Sequence, residues 1–127
     1  MATIVRATST FPMPTQDGSS YDDAQKREYR RVRREWWRRA LGAIRRAHPD
    51  LQATVDFNPG GVAGWGEHWI RITRKGIPVL EAFESDMLGV CVRQWDGKRS
   101  GRNQWVMTIA DLVATASRSL DAPFQPF

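Results

Sequence analysis

The chain is nearly without cysteine. Cys91 is the only one in 127 residues, which excludes an intrachain disulfide and fits a reducing compartment. We therefore expect a cytoplasmic protein. Long apolar runs are also missing. None approaches the roughly 20 consecutive apolar residues of a transmembrane helix, and the opening residues lack the apolar core of a secretory signal, so no membrane partner is expected. His48, His68 and Cys91 are the only soft ligands and lie scattered, short of the orderly three or four ligands of a metal site. There is no nucleophile elbow, no internal repeat and no interdomain linker. One domain over 1–127 follows, without a cofactor, and long enough for a modest core. Residues 1–20, rich in Thr, Ser and Pro, read as an extended arm with a short edge strand at Thr3 to Ala7.

What the chain does have is arginine in one place. Lys26 to Arg46 holds ten of the nineteen Lys and Arg residues and two acids, a charge of +8 against +5 for the whole chain. The remainder, with nine bases and twelve acids, is −3. At 100° per residue, Tyr29, Val32, Trp36, Ala40, Ala43, Ile44 and Ala47 form one apolar stripe, widened by Trp37 and Leu41. That is an amphipathic helix packed on a core. Ser19, Ser20, Asp22 and Asp23 suit its start, and His48-Pro49 its stop. Gly42 costs about 1 kcal/mol against alanine in a helix interior, yet the stripe continues in phase past it.

Opposite the stripe, Arg27, Arg31, Arg34, Arg38 and Arg45 align, flanked by Glu28, Glu35, Arg39 and Arg46. Arginine's planar fork suits phosphates and carboxylates and stacks on flat groups. Arg33 alone projects onto the apolar side. An unpaired buried charge is very costly, so either the helix overhangs the core there, the favoured expectation, or Arg33 is paired with a carboxylate.

Beyond the helix the periodicity falls to two. Leu51, Ala53, Val55 and Phe57 alternate with polar residues, a half-buried strand, closed by Asn58-Pro59-Gly60-Gly61. Trp65 sits among the glycines that follow, a plug or a contact. Further strands are expected at 67–74, with Ile70 and Ile72 inward and Trp69, Arg71 and Thr73 opposite, then at 78–84, 88–95 and 104–107. Asp96-Gly97 is a strong turn signal. Thr108 caps a helix with Asp111 at its third position, and the tail 121–127 carries Phe124 and Phe127, to be pinned on the body or held for a partner. The expected fold is α+β: a long N-terminal amphipathic helix, an antiparallel meander of four to five strands and a C-terminal helix, with both helices on one face of the sheet.

The basic loop Lys98, Arg99 and Arg102 lacks the order of a P-loop but can touch a nucleic-acid backbone. Asp56, Glu67, Glu81 and Glu84 on neighbouring strands are a weaker thought, a metal-dependent nuclease centre without its usual lysine. His68 reads as a core-edge histidine and Cys91 as an inert buried thiol.

The expected function is binding without catalysis. Nucleic acid, DNA or RNA, is the first partner, met by Arg27, Arg31, Arg34, Arg38, Arg45 and Arg39 with Lys98, Arg99 and Arg102, and by Trp69, Trp95 or Trp105 if they lie beside the stripe. In order alone the chain is loosely similar to the double-stranded RNA-binding domain, though Arg118 is the only base of its second helix. The alternative is a protein-interaction module binding an acidic surface. Small phage and mobile-element inhibitors, anti-CRISPR and anti-restriction proteins among them, share this profile of size and charge. A homodimer is a related expectation.

Overall fold

The computed structural model describes residues 10–13, 21–59, 66–85 and 89–126. Helix α1 (Asp23–Ala47) is followed by strands β1 (Gln52–Asn58), β2 (Glu67–Arg74), β3 (Ile77–Ser85), β4 (Gly89–Gln94) and β5 (Gln104–Val106), then by helix α2 (Ile109–Asp121). The strands form one antiparallel sheet in the order β1-β2-β3-β4-β5, the expected α+β meander between two helices. No helix among the described residues is long and apolar enough to cross a membrane. The expected strand at Thr3 to Ala7, the loop residue Trp65, Asp86, Leu88 and Phe127 lie outside the described residues.

Local chemistry fixes the element ends. Asp22 caps α1: its carboxylate accepts from the Gln25 amide at 2.7 Å, and the Gln25 side chain accepts from the Asp22 amide at 2.9 Å. This reciprocal box satisfies donors that the first turn leaves without partners. His48 ends the helix one residue before Pro49. Thr108 caps α2 by accepting from the Asp111 amide at 3.0 Å. Between β2 and β3, Lys75 and Gly76 have φ of 52° and 79°, the left-handed pair that a two-residue hairpin turn needs.

Register places the core. Ala53, Ile72 and Leu80 are cross-strand neighbours, as are Val55, Ile70, Ala82, Val92 and Gln104. With Val90 and Val106 they belong to one sheet face, and the apolar members pack in a single cluster with Trp36, Trp37, Ala40, Leu41 and Ile44 of α1 and Ile109, Leu112 and Ala116 of α2. Both helices therefore cover the same face. Each fully buried Ile, Leu or Val contributes on the order of 1.5–3 kcal/mol. Phe11 joins this core, edge-on to Trp36 at 5.0 Å between ring centroids, and its amide donates to the Met107 carbonyl. The tail is tied down as well. Gln94 donates to the Ser119, Ala122 and Pro123 carbonyls and accepts from the Gln125 amide, while Arg99 lies over the Phe124 ring.

The buried face of α1 is not the one its apolar spacing favours. Arg33, Trp36, Trp37, Ala40, Leu41 and Ile44 are buried, while Val32 and Ala43 are only partly covered and Ala47 is exposed. The helix is rolled by roughly 50° at 100° per residue toward Trp37 and Leu41, whose larger side chains bury more apolar surface than the alanines. Arg33 does not overhang the core. It is 3% exposed and paired with Glu84, which removes the cost of an isolated buried charge.

Candidate functional site

The roll of α1 carries its arginines to one side, over β1, instead of straight out from the sheet. Between α1 and the end of β1 lies a groove of about 810 Å³. One wall is Arg27, Arg30, Arg31, Arg34 and Arg38, which recur at steps of three and four and so share a helix side. The floor and far wall are Trp37, Leu41, Val55, Phe57 and His68, and among the described residues Asp56 is the only carboxylate bordering it. The groove is thus cationic on one side and mainly apolar beneath.

Among the described residues, Arg27, Arg30 and Arg34 have no ion-pair partner. Arg31 is held by Glu28 at 2.6 Å, and Arg38 faces Glu35 at 3.7 Å. These contacts are exposed and worth little. The hydrogen bond from Arg31 holds the Glu28 carboxyl below the usual glutamate range. Two further acids are engaged away from the wall. Glu81 binds Arg71 and Arg93 on the opposite sheet face, and Asp96 binds Arg99.

Beneath the groove sits a saturated buried carboxylate. Glu84 accepts from Arg33 Nε and Nη2 at 3.0 and 2.6 Å, from Trp37 Nε1 at 2.7 Å and from the His68 amide at 2.9 Å. His68 Nδ1 lies 3.3 Å from its Oε1. Arg33 also donates to the Gly66 carbonyl at 2.6 Å. Burial pushes the Glu84 carboxyl up, but the His68 and Arg33 hydrogen bonds and the Arg33 charge outweigh it, and the net direction is down. Above this base three rings form a cluster. Trp37 and His68 are near-parallel, with an 18° interplanar angle and centroids 6.3 Å apart, and Phe57 lies 4.6 Å from His68, tilted 51° against it. Trp37 is fully buried, whereas Phe57 is 44% exposed.

The groove brings together Arg27, Arg31, Arg34 and Arg38 and adds Arg30, Phe57 and His68, which sequence reasoning did not place at a site. Arg30 had a signal, its four-residue spacing from Arg34. Phe57 and His68 had none, because their exposure depends on where α1 lies. Arg45 is turned to the β1 edge, where its Nε and Nη2 donate to the Ala53 carbonyl at 3.1 and 2.8 Å. Arg39 faces Glu35 at 3.8 Å and does not line the groove.

Lys98, Arg99 and Arg102 do not join the wall. Their loop follows Gln94, at the sheet end shared by Leu80, Pro78, Thr73 and Gln52, whereas Phe57, His68, Gly66 and Glu84 mark the other end. Trp69, Trp95 and Trp105 are not beside the arginines either. Trp69, Phe83, Cys91 and Trp105 form a row across the face turned away from the helices. Arg93, which shares that face, stacks over Phe83 and lies 5.8 Å from the centre of Trp95.

The four strand carboxylates do not converge. Alternation puts Glu81 on the outer face with Arg71 and Arg93, and Glu84 on the core face with Arg33. Among the described residues no three His, Cys, Asp or Glu side chains gather as metal ligands would. Cys91 is fully buried, and burial pushes its thiol up to about 11. No protein-family model, curated protein or solved structure matches this chain.

Proposed function

We propose that this is a small nucleic-acid-binding protein that holds its ligand against the arginine wall of α1. One observation carries the reading: five arginines of a single helix line one groove, while the two buried acids of the sheet, Glu81 and Glu84, are committed to other arginines. From Arg27 to Arg38 the wall runs about 16 Å at 1.5 Å per residue, long enough to meet several phosphates. Guanidinium groups bind phosphate through paired N–H donors, and release of counterions supplies much of the affinity.

The test is a salt titration with fluorescently labelled oligonucleotides, followed by anisotropy. Three or four neutralised phosphates give a log–log slope of about −2 to −4. Reversing Arg27, Arg34 and Arg38, all exposed, to Glu abolishes binding and leaves the melting curve close to that of the parent, because exposed substitutions cost within about 0.5 kcal/mol each. Reversing Lys98 and Arg102 leaves affinity nearly unchanged, since that loop lies at the far end of the sheet. Absence of any binding to duplex or single strand at low salt would sink the proposal.

A protein-interaction module is the second reading, and a different observation favours it. Trp105 is 49% exposed and Met107 36% exposed, away from the arginine groove, and exposed aromatics are typical interface anchors. A pull-down returning one stoichiometric protein that Trp105→Ala abolishes, with weak binding to free nucleic acid, distinguishes it.

A further inference from the structure

We infer that the groove takes a single strand, with an unpaired base stacked on Phe57 and its phosphates on the α1 arginines. The inference rests on the nucleic-acid reading of the wall and narrows it to one class of ligand. Its basis is the ring cluster. Phe57 is the only exposed member of the Trp37–His68–Phe57 ring cluster, so a planar base laid on its face adds to an aromatic cluster that already exists.

The cluster is fixed before any ligand arrives. Trp37 and His68 are both tied to Glu84, and Phe57 rests on the Gly66 backbone so closely that a Cβ there would lie 2.3 Å from its ring. A preset stacking face costs little ordering on binding. Base–aromatic stacking is also tolerant of sequence, because every base has a π-face.

The second half of the argument is the pairing of charge with apolar surface. A duplex keeps its bases stacked inside and offers this groove phosphates alone, leaving Val55 and Phe57 uncovered. A single strand offers both kinds of group at once. The groove's volume, about 810 Å³, falls in the range of about 300–1,000 Å³ typical of sites for small ligands, a space for a few unpaired nucleotides.

The experiment compares a short mixed-sequence oligonucleotide as single-stranded DNA, as single-stranded RNA and as the DNA duplex, by anisotropy at one low salt concentration, with the full chain. Either single strand is expected to bind at least about tenfold more tightly than the duplex. Phe57→Ala is expected to weaken single-strand binding about tenfold with duplex binding unchanged, and Phe57→Trp to restore it. An unchanged melting curve for Phe57→Ala verifies that the fold is kept. A duplex that binds as tightly as the single strands, or a Phe57→Ala variant with full single-strand affinity, overturns the inference and leaves the arginine wall as a duplex or backbone site. Loss of all binding in the parent protein removes both readings together.

Discussion

Arg33 of α1 and Glu84 of β3 stand 51 positions apart in sequence and meet in a two-pronged ion pair whose side chains are each 3% exposed. The pair fixes the roll of the long helix on the sheet, and with it the side on which the arginine wall emerges. Removing one partner of such a pair costs about 3–5 kcal/mol. Glu84→Ala also strips an acceptor from Trp37 and His68. The variant is expected to lose most of the domain's stability in urea denaturation, whereas Arg33→Met combined with Glu84→Leu is expected to lose less than Glu84→Ala alone.

Acid is expected to reach the same pair. The folded Glu84 carboxyl lies below its ordinary value of 4.5. Its contribution is therefore fully present above that pH and is lost as the pH falls through the lower, folded value. Asp96 acts in the same direction, brought to about 2 by hydrogen bonds from the Arg99 side chain and the Arg99 and Lys98 amides. Urea midpoints measured over a pH series are expected to fall below pH 4.5, and Glu84→Gln to flatten the first part of that fall.

Gly66 is expected to resist substitution for two reasons. Its φ is +82°, and an added Cβ would strike the Phe57 ring. Gly66→Ala is expected to cost on the order of 1–3 kcal/mol and to displace Phe57, so that binding to single strands falls together with stability. Gly76 has a similar φ of +79° with nothing near its Cβ position. Gly76→Ala is expected to cost stability in urea denaturation without touching affinity.

Cys91 is expected to be silent in the native protein. The thiolate is the reactive form, and the fully buried thiol is pushed up to about 11. A thiol reagent at neutral pH is expected to label it at the rate of global unfolding, and promptly once denaturant is added. Rapid labelling of the native protein would contradict its burial.

Much of the fold could be read from local chemistry, because local chemistry decides it. Asp22, His48-Pro49, Asp96-Gly97 and Thr108 mark element ends that the backbone respects, and the alternation through Ile70, Ile72, Val90 and Val92 gives the buried sheet face. The roll of α1 could not be read the same way. Spacing counts Ala43 and Ala47 equally with Trp37 and Leu41, but burial weighs them by area. Arg33 misled for a related reason: an arginine on an apolar stripe looks exposed until its partner, on a strand 51 residues away, is known. The groove depends on that roll, so four arginines of the wall were legible as a cluster while Phe57 and His68 were not.

Arg45 has a consequence for how the molecules meet one another in solution. β1 is an outer strand of the sheet, and such a strand offers unpaired main-chain groups to any neighbour with an edge of its own. The guanidinium of Arg45 occupies the Ala53 carbonyl with two hydrogen bonds and sets a positive charge where a second copy would have to add its strand. The same +8 segment that lines the groove with arginines at one end thus guards the sheet at the other, discouraging growth into filaments of stacked copies.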